Sequence, residues 1–273
     1  MIKSNLRWPG GKSKMVKNIC PYFPKNFGEY YELFAGGSSI GLYVIQQYDL
    51  KKIIFNDIDS DLINYYRIIQ NPITNNLLIK ELLSIKNKYN SEEFKPVFRL
   101  LKISASKNDS NLENAKKFFI ANKSGFSGIK KSTYSKQAYE RNFTIKSINK
   151  CKEIGNLLAD KNVLLENSSF ENALINTQNN FFVYADPPYY GNSKKGLYGK
   201  DGLLHKEFDH ILFHEMICEI SKKNKILISY DNNEFIKQMY SNFKINFFEK
   251  KYSMTNTGNN LCKMGQEILI SNY

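Results

Sequence analysis

Phe181-Phe182-Val183-Tyr184-Ala185-Asp186-Pro187-Pro188-Tyr189 sets a short apolar run directly before an acid, two prolines and a tyrosine. A run of that length, rich in aromatics, reads as a buried strand. The tetrapeptide 186–189 then stands at the strand's carboxyl end, where open α/β sheets bind their ligands. Asp186 offers a carboxylate acceptor. The prolines fix φ and cannot donate an N–H, so the Pro187 carbonyl is held as a second acceptor in a rigid turn. Tyr189 adds a flat aromatic face with a polar tip. Two acceptors beside a stacking plate suit a planar ring bearing an exocyclic amino group, although a proline-rich turn closing a strand has the same local pattern.

Outward from this stretch, the chain alternates strands and helices at both ends. Tyr30-Tyr31-Glu32-Leu33-Phe34 is a first strand, broken by Ala35-Gly36-Gly37 and followed by a helix over 38–47. A second strand at 52–55 and a helix opening near Asp59 complete a βαβ unit. Residues 62–117 repeat apolar positions three and four apart, which predicts helices, with breaks at Pro72 and Pro96. Around 122–134 small residues and glycines predict a hairpin or exposed loop. The α/β rhythm returns after about 148, with strands at 163–165, 181–185 and 226–230 and a helix near 207–221. Alternating segments at 244–251 and 266–273 predict a terminal antiparallel pair.

Composition narrows the partner. Thirty-nine basic residues against 26 acidic ones give a net charge of +13. Residues 60–150 hold 17 of the basic and 7 of the acidic side chains, so one third of the chain carries most of the excess. Segregated positive charge favours a polyanion, most simply nucleic acid; a lysine-rich solvated surface is the plainer alternative. The four cysteines form no C-x-x-C pair and suggest reduced, structural thiols in a cytosolic protein. No signal peptide and no membrane-spanning apolar run is read. His210 and His214 are four apart, but without H-E-x-x-H or an obvious third ligand they predict no metal site.

Three further segments carry chemistry. The glycines of Phe34-Ala35-Gly36-Gly37 let the backbone approach a ligand next to a helix's positive end. Asp57, in Asn56-Asp57-Ile58-Asp59, lies 21 residues after Gly36, the spacing of an acid that bonds ribose hydroxyls, while Asp59 is assigned as the cap of the next helix. Trp8-Pro9-Gly10-Gly11-Lys12 is a glycine turn closed by a lysine and excludes a P-loop.

Together and in this order, the four segments resemble the Dam-type DNA adenine-N6 methyltransferases (D12 class, group alpha) over nearly the whole chain. Ala121-Asn122-Lys123-Ser124-Gly125-Phe126-Ser127-Gly128 is similar to a further segment of that family's recognition domain. The resemblance implies a Rossmann-like S-adenosylmethionine-dependent methyltransferase fold, α/β with a mostly parallel sheet ending in an antiparallel hairpin, plus a helix-rich recognition insertion. Residues 1–59 and 148–273 would form the catalytic domain and 60–147 the DNA-binding domain.

Carried onto matching positions, the resemblance implies Asp186, Pro187 and Tyr189 as catalytic residues. Trp8, Lys12, Phe34, Gly36, Asp57, Phe170 and Asp186 would bind S-adenosylmethionine, and no metal is needed. The flipped adenine would stack on Tyr189 while Asp186 and the Pro187 carbonyl accept its amino hydrogens. Lys116, Lys117, Lys123, Lys130, Lys131, Lys136 and Arg141 are the expected contacts to double-stranded DNA, with Arg141 and the loop 124–134 reading bases. Glycines and lysines at 191–202 suggest a loop that closes over the site. The family includes GATC-specific members, so GATC is the expected target, with lysines standing where several of those members carry arginines. A cytoplasmic monomer is expected, in a prokaryotic cell or phage-infected host, acting alone or beside a cognate restriction endonuclease. A methyltransferase acting on RNA and an inactive DNA-binding module of the same fold are the competing readings.

Overall fold

The computed structural model describes residues 1–103, 110–126, 133–190, 208–251 and 264–273. Seven strands lie among them: β1 (Glu29–Glu32), β2 (Lys52–Asn56), β3 (Leu164–Glu166), β4 (Phe181–Ala185), β5 (Lys225–Asp231), β6 (Lys244–Lys251) and β7 (Met264–Ser271). They make a mixed α/β sheet, parallel except at one edge, consistent with the expected Rossmann-like fold. The principal helices are α1 (Val16–Ile19), α2 (Ser39–Gln47), α3 (Ser60–Gln70), α4 (Pro72–Lys88), α5 (Phe94–Ile103), α6 (Asn111–Ser124), α7 (Lys136–Asn142), α8 (Ile145–Asp160) and α9 (Phe170–Ile175), with two more at His210–Ser221 and Glu234–Met239.

The chain divides into two compact units. The first comprises Met1–Ser13 and Ala35–Asn167, the second Lys14–Phe34 and Ser168–Tyr273. In the first unit β2 and β3 pair in parallel, from Ile54 opposite Leu164 to Asn56 opposite Glu166. Helices α3, α4, α6 and α8 pack around a core that includes Tyr65, Tyr66, Phe119 and Phe143, all buried. Gly155 lets α8 come close to its neighbours, because a Cβ there would lie 1.9 Å from the Ile69 carbonyl oxygen and 2.4 Å from Asn75 Nδ2.

Capping explains the helix starts. Asp59 accepts from the N–H groups of Asp61 and Leu62 and opens α3, the role expected of it. Asn71 caps α4 with Pro72 in its first turn. Pro96 does not break the chain as predicted. It sits in the first turn of α5, where its missing N–H costs no intrahelical bond. The glycine loop predicted from 122 begins later, since α6 continues through Ser124. A hairpin stem then follows: Gly125 bridges Tyr134, and the Phe126 N–H donates to the Thr133 carbonyl at 2.9 Å.

In the second unit the strand order is β1-β4-β5-β7-β6. β1, β4 and β5 are mutually parallel, with Tyr31 opposite Val183 and Val183 opposite Ile226. β4 therefore has a partner on each side, and all five of its residues are buried, as its unbroken apolar sequence requires. β7 runs antiparallel to both β5 and β6, which it separates. The predicted terminal antiparallel pair is present, and the predicted helix near 207–221 starts at His210 behind an Asp209 cap.

Candidate active site

In the first unit, the segment after Leu6 turns tightly at Trp8, whose carbonyl accepts the Gly11 N–H at 3.0 Å. Lys12 is buried and its Nζ donates to the Gly10 carbonyl at 3.2 Å. The Trp8 indole lies against the glycine loop that opens at Ala35. A Cβ on Gly36 would fall 2.5 Å from Trp8 Nε1, and Gly36 has φ +47°, a left-handed conformation suited to glycine. Two distant motifs of the sequence thus meet through the absence of a side chain.

Asp57 locks that loop. Its Oδ2 accepts the Gly36 N–H at 2.8 Å and its Oδ1 the Asp59 N–H at 2.9 Å. The Tyr66 hydroxyl donates to the Gly36 carbonyl at 2.9 Å, and Asn167 Nδ2 to the Asp57 carbonyl at 2.8 Å. Burial pushes the Asp57 carboxyl up to about 6. The backbone N–H groups of Asp59, Gly36 and Ile58 oppose that rise and the Asp59 charge adds to it.

In the second unit, Asp186-Pro187-Pro188-Tyr189 leaves the end of β4, with Pro187 buried and Asp186 and Tyr189 half-buried. Ser229 on β5 donates its hydroxyl to Asp186 Oδ1 at 2.9 Å, and the Tyr184 hydroxyl lies 3.0 Å from Ser229 Oγ. The Tyr189 hydroxyl hydrogen-bonds the Glu267 carboxylate. Burial and the nearby Asp186 and Glu267 carboxylates keep that phenol protonated, far above its ordinary pKa. The Tyr189 ring lies 6.1 Å from that of Tyr230, whose hydroxyl is 3.0 Å from His210 Nδ1. Phe34 and Phe170 belong to one aromatic cluster with Phe208 and Phe213, at centroid distances of 5.0 to 6.4 Å.

The basic residues separate by environment. Lys116 pairs with Glu81 at 2.9 Å and Glu113 at 2.5 Å, and Lys117 reaches Glu113 at 3.9 Å. Lys136 pairs with Glu92 at 2.5 Å. Arg141 is exposed in the last turn of α7. Lys123 is buried in the last turn of α6, with its amine over the Phe119 ring, so it does not present its charge to solvent. Desolvation lowers its pKa to about 8. Lys130, Lys131 and the predicted closing loop at 191–202 lie outside the described residues. His214 bonds Cys218 Sγ at 3.3 Å.

Sequence reasoning missed Ser229, Tyr230 and Glu267. A signal existed for two of them. Ser229 interrupts the apolar run Ile226-Leu227-Ile228, and Glu267 heads Ile268-Leu269-Ile270, and a polar group inside a buried strand demands a partner. It also missed the bond set between Arg7 and Asn122, which are 115 residues apart.

With this geometry in view, comparison with known proteins is specific. The family model for the D12 class N6 adenine-specific DNA methyltransferases matches residues 8–254. The chain is 26% identical to the type II methyltransferase M.MjaIII of Methanocaldococcus jannaschii, covering 100% of this chain and 99% of that protein. It is 25% identical to M1.LlaDCHI of Lactococcus lactis subsp. cremoris, covering 99% and 97%. It is also 25% identical to M.CviBI of Paramecium bursaria Chlorella virus NC1A, covering 92% and 91%.

Proposed function

The chain belongs to the D12 class of N6 adenine-specific DNA methyltransferases, and from that membership we propose that it methylates N6 of an adenine flipped out of duplex DNA, with S-adenosylmethionine as donor. The observation that carries the proposal is the Ser229–Asp186 hydrogen bond at the end of β4. It fixes one carboxylate oxygen and leaves Asp186 as an acceptor beside the buried, rigid Pro187. Asp186 and the Pro187 carbonyl take the two N6 hydrogens, and Tyr189 supplies the stacking face. Extruding the base costs a few kcal/mol, and stacking on an aromatic returns about 1–3 kcal/mol. As the amine attacks, positive charge grows on its hydrogens, and preoriented acceptors stabilise it without reorganising.

The residues present fit an adenosine-bearing donor. Asp57 is an acceptor whose bonds to backbone N–H groups leave lone pairs for ribose hydroxyls, and it holds the glycine loop at Gly36 in place. When bound, S-adenosylmethionine supplies an electrophilic methyl group on a sulfonium. We assign Trp8, Lys12, Gly36 and Asp57 to holding it; Phe34, Phe170 and Asp186 carry the same expectation from the family resemblance. Residues 60–147 are proposed as the DNA-recognition region. Arg141 is its exposed candidate for base contact, Lys116, Lys117 and Lys136 are candidates for phosphate, and GATC is the candidate sequence. A cognate restriction endonuclease fits the type II names of the relatives.

Incubation with methyl-labelled S-adenosylmethionine and unmethylated duplex DNA, followed by nucleoside analysis, tests the reading. Labelled N6-methyladenine is expected in DNA. Label confined to an RNA control, or DNA binding without transfer, would replace the proposal with an RNA enzyme or an inactive module. Asp186→Ala is expected to abolish transfer while leaving duplex binding largely intact.

A further inference from the structure

β7 contributes a carboxylate that the reaction as described leaves without a role. Glu267 is fully buried, yet burying a carboxylate is costly and an apolar residue would suit a strand core better. The strand register locates it. Glu267 stands opposite Asp231 and Leu269 opposite Ser229, so Glu267 and Ser229 share one face of the sheet as diagonal neighbours. Tyr184 joins that face through its pairing with Leu227 and its contact with the Ser229 hydroxyl. A row of buried polar groups therefore underlies the turn at 186–189. One member, Ser229, holds Asp186.

We infer that Glu267, buried on the face it shares with Ser229, is a positioning residue for Tyr189, its carboxylate accepting the Tyr189 hydroxyl and fixing the plane against which the target adenine stacks. The two acceptors and the stacking plate thus have separate supports on adjacent strands, β5 for Asp186 and β7 for Tyr189. A tyrosine ring held at its para hydroxyl cannot swing about χ1 without breaking that bond, so the flipped base meets an oriented face. This role rests on the proposed methyl transfer and acts on the step after the donor has bound.

Single-turnover methyl transfer to unmethylated duplex DNA, with donor affinity measured separately, tests it in the full-length protein. Loss of one hydrogen bond to a charged group predicts that Glu267→Ala and Tyr189→Phe each slow transfer roughly tenfold or more, with donor affinity changed less than about twofold. Glu267→Gln keeps an acceptor oxygen and is expected to recover part of the rate lost in Glu267→Ala, including where the alanine variant folds poorly. The double variant Glu267→Ala/Tyr189→Phe is expected to be no slower than the slower single variant, since both remove one bond. Multiplying effects, or a Tyr189→Phe rate equal to wild type, would overturn this role while leaving the methyltransferase reading intact. Wild-type protein that transfers nothing to DNA would overturn both.

Discussion

The Asn122 side chain bridges the Arg7 backbone, accepting its N–H at 2.9 Å and donating to its carbonyl at 2.8 Å. Arg7 answers with Nη1, which donates to the Asn122 carbonyl at 3.3 Å and the Gly125 carbonyl at 2.8 Å. One side-chain amide thereby holds the residue before Trp8 to the end of α6, where the hairpin stem of the proposed recognition region begins. Asn122→Ala removes two part-buried bonds to the Arg7 backbone and is expected to cost about 1–3 kcal/mol of stability. Donor affinity should fall with it, because the Trp8 turn loses its anchor. Calorimetric titration with S-adenosylmethionine on a folded Asn122→Ala sample checks this, and unchanged affinity would break the connection.

Gly36→Ala should be more severe for the donor than for the fold. Its Cβ would enter the Trp8 indole at 2.5 Å while the backbone sits at φ +47°. Strain of that kind costs about 1–3 kcal/mol. Relief requires Trp8 or the loop to move, so donor binding is expected to vanish at concentrations that saturate wild type. Thermal melting and donor titration together separate the two effects.

Asp57 gives opposite pH trends for stability and binding. Its folded pKa is about 6 against an ordinary 3.8, so between those values the folded state holds a proton that the unfolded state has released. Stability from this residue therefore falls as pH rises through about 4 to 6. Donor binding, which uses the ionised acceptor, should strengthen as pH rises through about 6 and level off above it. In Asp57→Asn both slopes should disappear, with donor affinity low at every pH. Denaturant midpoints and donor titrations from pH 4.5 to 8 measure them.

Gly155→Ala tests packing away from the candidate site. Alanine is favoured over glycine within a helix by about 1 kcal/mol, but here its Cβ would fall 1.9 Å from the Ile69 carbonyl oxygen. The clash involves backbone and should win, with a net loss above about 2 kcal/mol and a clearly lowered melting temperature. Methyl transfer by the fraction still folded should persist.

The strands around 30–34, 52–55, 181–185 and 226–230 were legible because apolar runs ended by glycine, proline or acid mark buried strands whatever their neighbours. Their limits shifted by a residue or two, as at β1, which ends at Glu32. Asp59 was legible as a cap because capping is local. Pro96 misled because proline is tolerated in a first turn, and only the position of the helix start reveals that. Lysines at 116, 117, 123 and 136 read alike as free charge, whereas in the fold three pair with glutamates and Lys123 is buried. A polar residue in an apolar run marks Ser229 and Glu267 as needing partners, but which partners, like the Arg7–Asn122 clamp, lies across large sequence separations that no local pattern encodes.

The placement of β7 between β5 and β6 has a consequence for biosynthesis. Both flanking strands leave the ribosome before the strand that joins them, so a nascent chain holds β5 with an open edge until β7 emerges. Glu267 arrives with β7. The support inferred for Tyr189 is therefore made after the turn it holds, and a chain stopped short of β7 carries the Asp-Pro-Pro-Tyr turn without it. Under the proposed reaction, a chain so truncated would meet the flipped base with an unoriented ring.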